Sequence, residues 1–248
     1  MGKKIYLVTG ASSDIGVRLI TEILEESNKE TVVYAHYFSD CKRLSGLEAT
    51  YNNRVIPHRA DFRVMGEVNN LIEKIRKQHV CPTHILHLPA DKVAHKRFRD
   101  LDWQRFISDL NIQVNSVVEI LKSFAPLMSR HDERTKVVIM LSSYTISTPP
   151  KHMSNYVMIK YCLLGLVKAL ASEYSGKNIN INGISPSMIE TKFLANIDSR
   201  IIEINAGNSV GSRNATVDDI VPAIQFLLSD NSNFINGVNI NISNGNVL

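Results

Sequence analysis

Short apolar runs alternate along the chain with longer stretches in which apolar residues return every three or four positions. Runs near residues 4–9, 31–37, 54–58, 84–88, 136–142, 178–184 and 238–242 read as strands. The stretches between them read as helices. After the first run, for example, Ile15, Leu19, Ile20, Ile23 and Leu24 fall on a single helical stripe. Regular alternation of strand and helix predicts an α/β, doubly wound fold: about seven parallel strands in one sheet, with helices covering both faces.

At 248 residues the chain is long enough for a sizeable core and within reach of a single α/β domain, 1–248. It shows no Pro/Ser-rich linker, low-complexity tract or internal repeat. Twenty-eight basic residues against twenty-four acidic ones leave a weak positive balance, spread without a run of Lys or Arg. A nucleic-acid partner is not indicated, because no basic stripe with stacking aromatics is present. No apolar stretch approaches the ~18 residues that span a bilayer, and the start has no signal-peptide core, so a cytoplasmic protein is expected. Cys41, Cys81 and Cys162 make no Cys-x-x-Cys pair, so reduced thiols are expected. His84 and His87 stand three apart on a strand and should face opposite sides, so no metal site is expected.

Chemistry is suggested at two places. The run Ile5–Val8 leads into Thr9-Gly10-Ala11-Ser12-Ser13-Asp14-Ile15-Gly16 and then into a helix. A small-residue loop at a helix amino terminus offers free N–H groups and the positive end of the dipole, which suits a pyrophosphate. Gly10 permits a tight turn and Gly16 a close approach of helix to strand, although the spacing is Gly-x5-Gly and not Gly-x-Gly-x-x-Gly. Farther along, Ser143 follows the strand 136–142, and thirteen residues later comes Tyr156-Val-Met-Ile-Lys160. On a helix from Ser154 to Tyr174, residues four apart share a face. The Lys160 ammonium would then lie beside a phenol whose ordinary pKa is about 10 and favour its ionised form. A hydroxyl at a strand's carboxyl end and a tyrosine on the next helix can converge on one crevice.

Together these residues resemble the short-chain dehydrogenase/reductase family along essentially the whole chain, and 3-oxoacyl-[acyl-carrier-protein] reductases within it. Thr9, Gly10 and Gly16 match the family's phosphate loop, and Asp61 matches the aspartate that faces adenine. Ser143, Tyr156 and Lys160 match its active site, and the segment Asn182–Thr191 its late Pro-Gly turn. The resemblance implies a Rossmann-like fold and hydride transfer between a nicotinamide and a carbonyl or alcohol carbon. Tyr156 would be the acid, Ser143 the hydrogen-bond donor to the carbonyl oxygen, and Lys160 the group that acidifies the phenol and binds the ribose. It places Gly10, Ser12, Ser13, Asp14, Ile15, Tyr37, Asp61 and Phe62 against the adenosine and phosphates. Pro89, Ala90, Tyr156, Lys160, Ile189 and Thr191 would lie along the nicotinamide side. It further implies a homodimer or homotetramer.

Four departures stand out. Asp14 replaces the loop's middle glycine, a like charge for pyrophosphate unless it caps the helix instead. Leu86–Asp91 keeps only Ala90 of the family's Asn-Asn-Ala-Gly, and Ser187 replaces the glycine of Pro-Gly. On the helix read over Trp103–Met128, the family's active-site asparagine falls on Gln113 when counted from one end and on Asn111 from the other; Gln113 is preferred. The strand end His36-Tyr37-Phe38-Ser39 has no acidic residue until Asp40, with Lys42 and Arg43 nearby, which favours NADP(H) over NAD(H) despite Ser13 in the loop. A variable lid, about 187–216, would choose the substrate. A small ketone or an acyl-carrier-bound 3-oxoacyl group leads, with Arg130 and Lys177 toward the carrier. The rival reading is a catalytically inactive nucleotide-binding regulator.

Overall fold

All seven apolar runs pair into one parallel sheet. Its strands are β1 (Ile5–Thr9), β2 (Val32–Tyr37), β3 (Val55–Arg59), β4 (His84–His87), β5 (Thr135–Met140), β6 (Ile179–Pro186) and β7 (Asn239–Ile242). They lie in the order β3-β2-β1-β4-β5-β6-β7. The computed structural model describes residues 3–245 apart from His79 and Ala94, and only the backbone of Asn196. The helices are α1 (Asp14–Glu26), α2 (Lys42–Thr50), α3 (Met65–Arg76), α4 (Trp103–Leu110), α5 (Ser116–Met128), α6 (Ser154–Glu173), α7 (Ser199–Asn208) and α8 (Val217–Leu228).

Strand side chains alternate between two cores, as the period of two requires. Leu7, Ile85, Val137 and Ile181 pack with α3, α5 and α6 on one face. Tyr6, Val8, Leu86, Val138 and Ile184 pack with α1 and α8 on the other. Each side chain fully shut from water, Leu19 or Ile20 of α1 for instance, adds roughly 1.5–3 kcal/mol. Burial on both faces explains why the strands read as continuous apolar runs.

The stretch read as one helix over 103–128 is helical but not uniform. A π-helical turn, Asn111–Asn115, separates α4 from α5. Val117, Leu121, Leu163 and Val167 are core, whereas Val118 and Leu166 stay half-buried. Among the described residues, no helix is long and apolar enough to cross a membrane.

Strand order reverses between β1 and β4, so the loops leaving their carboxyl ends part there and open a crevice. The chain's candidate chemistry lies along that edge.

Candidate active site

Gly10 turns the chain out of β1 with φ +70°, a left-handed conformation. A Cβ on Gly10 would stand 3.1 Å from Pro89 N, so the loops after β1 and β4 touch backbone to backbone here. Gly16 is tighter: a Cβ there would lie 2.5 Å from Ala11 O, and any side chain would push α1 off the loop. Ser13 caps α1, its Oγ accepting from Gly16 N at 3.1 Å. The N–H groups of Asp14 and Ile15 at the same helix start have no hydrogen-bond acceptor among the described residues.

Asp14 does not cap. Its Oδ1 accepts from Arg43 at 2.7 Å and its Oδ2 from Lys192 N at 2.9 Å. Burial would raise this carboxyl, but the Lys192 N–H and the Arg43 guanidinium together hold it below its ordinary value. At the end of β2, the His36 Nδ1 accepts from Gly10 N at 3.1 Å and its Nε2 donates to Ala60 O at 3.0 Å. The ring lies 3.8 Å from that of Phe62, nearly parallel. Burial pushes His36 down to about 4, so it is neutral. Phe62 is therefore a core side chain. Asp61 is clasped by Arg63, at 2.8 Å to each carboxylate oxygen, which holds its pKa down. Tyr37 ends β2 half-buried, and Ser12 is half-buried in the loop.

At the end of β4, Pro89 and Ala90 are half-buried. His87, fully enclosed, donates from Nε2 to Gln113 O at 2.8 Å and accepts at Nδ1 from the Thr9 hydroxyl at 2.8 Å. One imidazole thus ties β1 and β4 to the π-helical turn. Burial pushes it down to about 3. His84 instead stacks on Tyr6, in the core of the opposite face, with ring centroids 4.5 Å apart. Among the described residues, no three His, Cys, Asp or Glu side chains gather for a metal ion. Gln113 and Asn111 occupy the same π-helical turn. Gln113 is buried with its carbonyl on His87, and Asn111 is half-buried with its side chain bonded to Asn115.

Tyr156 and Lys160 lie one turn apart on α6, and the Lys160 Nζ is 5.5 Å from the centre of the Tyr156 ring. Lys160 is buried and donates to Met140 O at 3.0 Å, the last residue of β5. The expected acidification of the phenol is not what this geometry gives. Burial raises Tyr156 to about 12, and the hydroxyl that bonds the phenol and draws it down is that of Ser142. Burial acts on Lys160 too, bringing it down to about 7. Ser143 follows, buried, at the start of a 3-10 turn. Tyr144 meets Tyr156 edge to face at 6.3 Å.

A hydroxyl, a phenol and an amine thus meet where β5 ends, with Ser143 the next residue along the chain. Such a set can hold a carbonyl oxygen and hand it a proton. Ile189 is bridged to Ala215 and Thr191 is half-buried, both on the segment reaching over this edge. Within that segment α7 buries none of its side chains. Arg130 and Lys177, both exposed, flank the starts of β5 and β6, at the edge opposite the crevice.

Sequence reasoning missed Ser142, His36 and the tie through His87. Ser142 had a signal, its place at the end of the same strand as Ser143. The histidines had none, because an imidazole's partners are set by tertiary contact.

A family model described as enoyl-(acyl carrier protein) reductase matches residues 10–246. The chain belongs to the short-chain dehydrogenase/reductase family. This short-chain dehydrogenase/reductase is 23% identical to "NADPH-dependent aldehyde reductase 2, chloroplastic" of Arabidopsis thaliana, covering 94% of this chain and 90% of that protein. It is 24% identical to the 3-oxoacyl-[acyl-carrier-protein] reductase FabG of Buchnera aphidicola, covering 98% and 97%. Among solved structures, a 4-hydroxyisoleucine dehydrogenase complexed with NADH superposes with a TM-score of 0.86 at 22% identity, covering 98% of each chain. The family is one of oxidoreductases that use a nicotinamide cofactor. The loop fits such a group: a glycine cradle that a Cβ would fill and two N–H groups of α1 without acceptors. Asp14 is the one element of it that opposes an anion.

Proposed function

We propose that this protein is an NADP(H)-preferring ketoreductase acting on a 3-oxoacyl thioester or another small ketone. The observation that carries the reading is that Tyr156 and Lys160 stand one turn apart on α6, with the Lys160 Nζ on the carbonyl that ends β5 and Ser142 and Ser143 next along the chain, beside the β1/β4 crevice. Tyr156 gives its proton to the carbonyl oxygen, and Ser143 donates a hydrogen bond to the same oxygen, stabilising the developing alkoxide. Lys160 holds the nicotinamide ribose, and Gln113 supports the π-helical turn beside α6. The cofactor, when bound, supplies the hydride. Gly10, Ser12, Ser13 and Ile15 receive the phosphates; Tyr37, Asp61 and the Phe62 backbone border the adenosine; Pro89, Ala90, Ile189 and Thr191 border the nicotinamide.

The preference for NADP(H) rests on a β2 end that presents Tyr37, Phe38 and Ser39 with no carboxylate before Asp40. The thioester class rests on the relatives' own substrates, since FabG of Buchnera aphidicola and an acetoacetyl-CoA reductase of Allochromatium vinosum are both similar along 98% of this chain. The segment 187–216 chooses among substrates, and the half-buried Val118 and Leu166 leave α5 and α6 faces suited to a homodimer or homotetramer in the cytoplasm. The test is oxidation of NADPH and NADH against acetoacetyl thioesters, simple ketones and sugars. Turnover of an acetoacetyl thioester, faster with NADPH, is expected. A protein that binds the cofactor but consumes it with no carbonyl would overturn the reading.

A further inference from the structure

Asp14 places a carboxylate at the start of α1, where a helix terminus already favours anions and where the family carries a glycine. Two arms hold it. Arg43, at the start of α2 just after β2, reaches back 29 positions in sequence to Oδ1 at 2.7 Å. Lys192, on the segment over the site, donates its backbone N–H to Oδ2 at 2.9 Å across 178 positions. One side chain therefore joins the phosphate loop, the helix after β2 and the candidate lid.

We propose that Asp14 is a specificity-determining clasp: it withholds Arg43 from a ribose 2′-phosphate and pins the lid at Lys192 to the phosphate loop. The first half rests on the nicotinamide-cofactor reading above; the second does not. An arginine close to the end of the second strand is the group that accommodates a 2′-phosphate in this type of fold. Here Arg43 is already paired, so that phosphate must share the guanidinium with a carboxylate. The pair is partly exposed, at 37% and 21% of the side chains, which limits its strength. The preference for NADP(H) is accordingly held small.

Asp14→Asn and Asp14→Ala separate the two arms. The asparagine keeps an oxygen for Lys192 N but frees Arg43; the alanine releases both. Measured by calorimetric titration, Asp14→Asn should tighten NADPH about fivefold and NADH no more than about twofold. Adenosine 2′,5′-bisphosphate should gain likewise over 5′-AMP, and adding Arg43→Gln should cancel the gain. By hydrogen exchange on the cofactor-free protein, the Lys192 amide should exchange faster in Asp14→Ala, by about tenfold, and little faster in Asp14→Asn. An unchanged NADPH-to-NADH affinity ratio in both variants overturns the withheld arginine. Unchanged exchange at Lys192 in the alanine variant overturns the pinned lid. If no variant binds either dinucleotide, the cofactor reading and the arginine half fall together, while the exchange measurement still judges the lid.

Discussion

At the reacting corner, Lys160 and Tyr156 stand one turn apart on a 20-residue helix and bond neutral partners, the Met140 carbonyl and the Ser142 hydroxyl. At the nucleotide corner the charged groups come in pairs, Asp14 with Arg43 and Asp61 with Arg63, all carried on loops and helix starts. The first corner sets its chemistry by desolvation, the second by ion pairing. Desolvation leaves both the phenol and the amine far from their ordinary pKa values. Ion pairs on a partly wet surface yield to salt and to single substitutions. Under the proposed function, chemistry and cofactor choice should therefore be separable in this chain.

Tyr156→Phe is the harshest way to break that separation. It removes the phenol that Ser142 bonds and adds no charge. Turnover should fall by about 10²–10⁴, while NADPH and NADH affinities, read by titration, stay within about twofold. A variant that loses cofactor affinity as steeply as turnover would show that the two corners act as one.

Acid attacks the opposite corner. His36 and His87 are held neutral, at about 4 and about 3, because burial opposes their charge; an unfolded chain binds those protons near pH 6.5. Between these values the unfolded state holds more protons than the folded one, so stability rises with pH across the window. It is whole above about pH 6.5 and is lost as pH falls toward 4, on the order of 3 kcal/mol for each ring. His87→Gln should flatten the fall, read as denaturation midpoints from pH 7 to 4.5. Hydrogen exchange at pH 5 should loosen residues 9–16 before 156–160. A His87→Gln protein with the wild-type pH slope would remove that imidazole from the account.

The same contrast explains what the chain's order of residues made legible. Seven strands and their parallel pairing were readable because burial on both faces leaves unbroken apolar runs. Tyr156 and Lys160 were placed together by helical periodicity alone, which is local. Ser142 was hidden by its neighbour: which of two adjacent serines turns to the phenol depends on the backbone at a strand end. Arg43 and Lys192 could not be assigned to Asp14, because contacts across 29 and 178 positions leave no periodic trace. His87 shows the same limit, since its bond to the Gln113 carbonyl on the π-helical turn spans 26 positions.

The two serines give the finest division within the reacting corner. Ser142 bonds the phenol and lowers its pKa, whereas Ser143, buried one residue later, is the donor assigned to the substrate oxygen. Ser143→Ala should lower turnover about a hundredfold, as loss of one oxyanion donor does, and leave the shape of the pH profile alone. Ser142→Ala should cost less at its optimum. Losing that hydrogen bond to the phenolate raises Tyr156 further, so the limb that reports the phenol moves to higher pH in the alcohol-oxidising direction. The profiles of the two alanine variants, measured side by side, decide the assignment. If Ser142→Ala takes the hundredfold loss and Ser143→Ala neither loses rate nor moves the limb, the oxyanion donor is the residue at the strand end, and the family's thirteen-residue spacing does not hold in this chain.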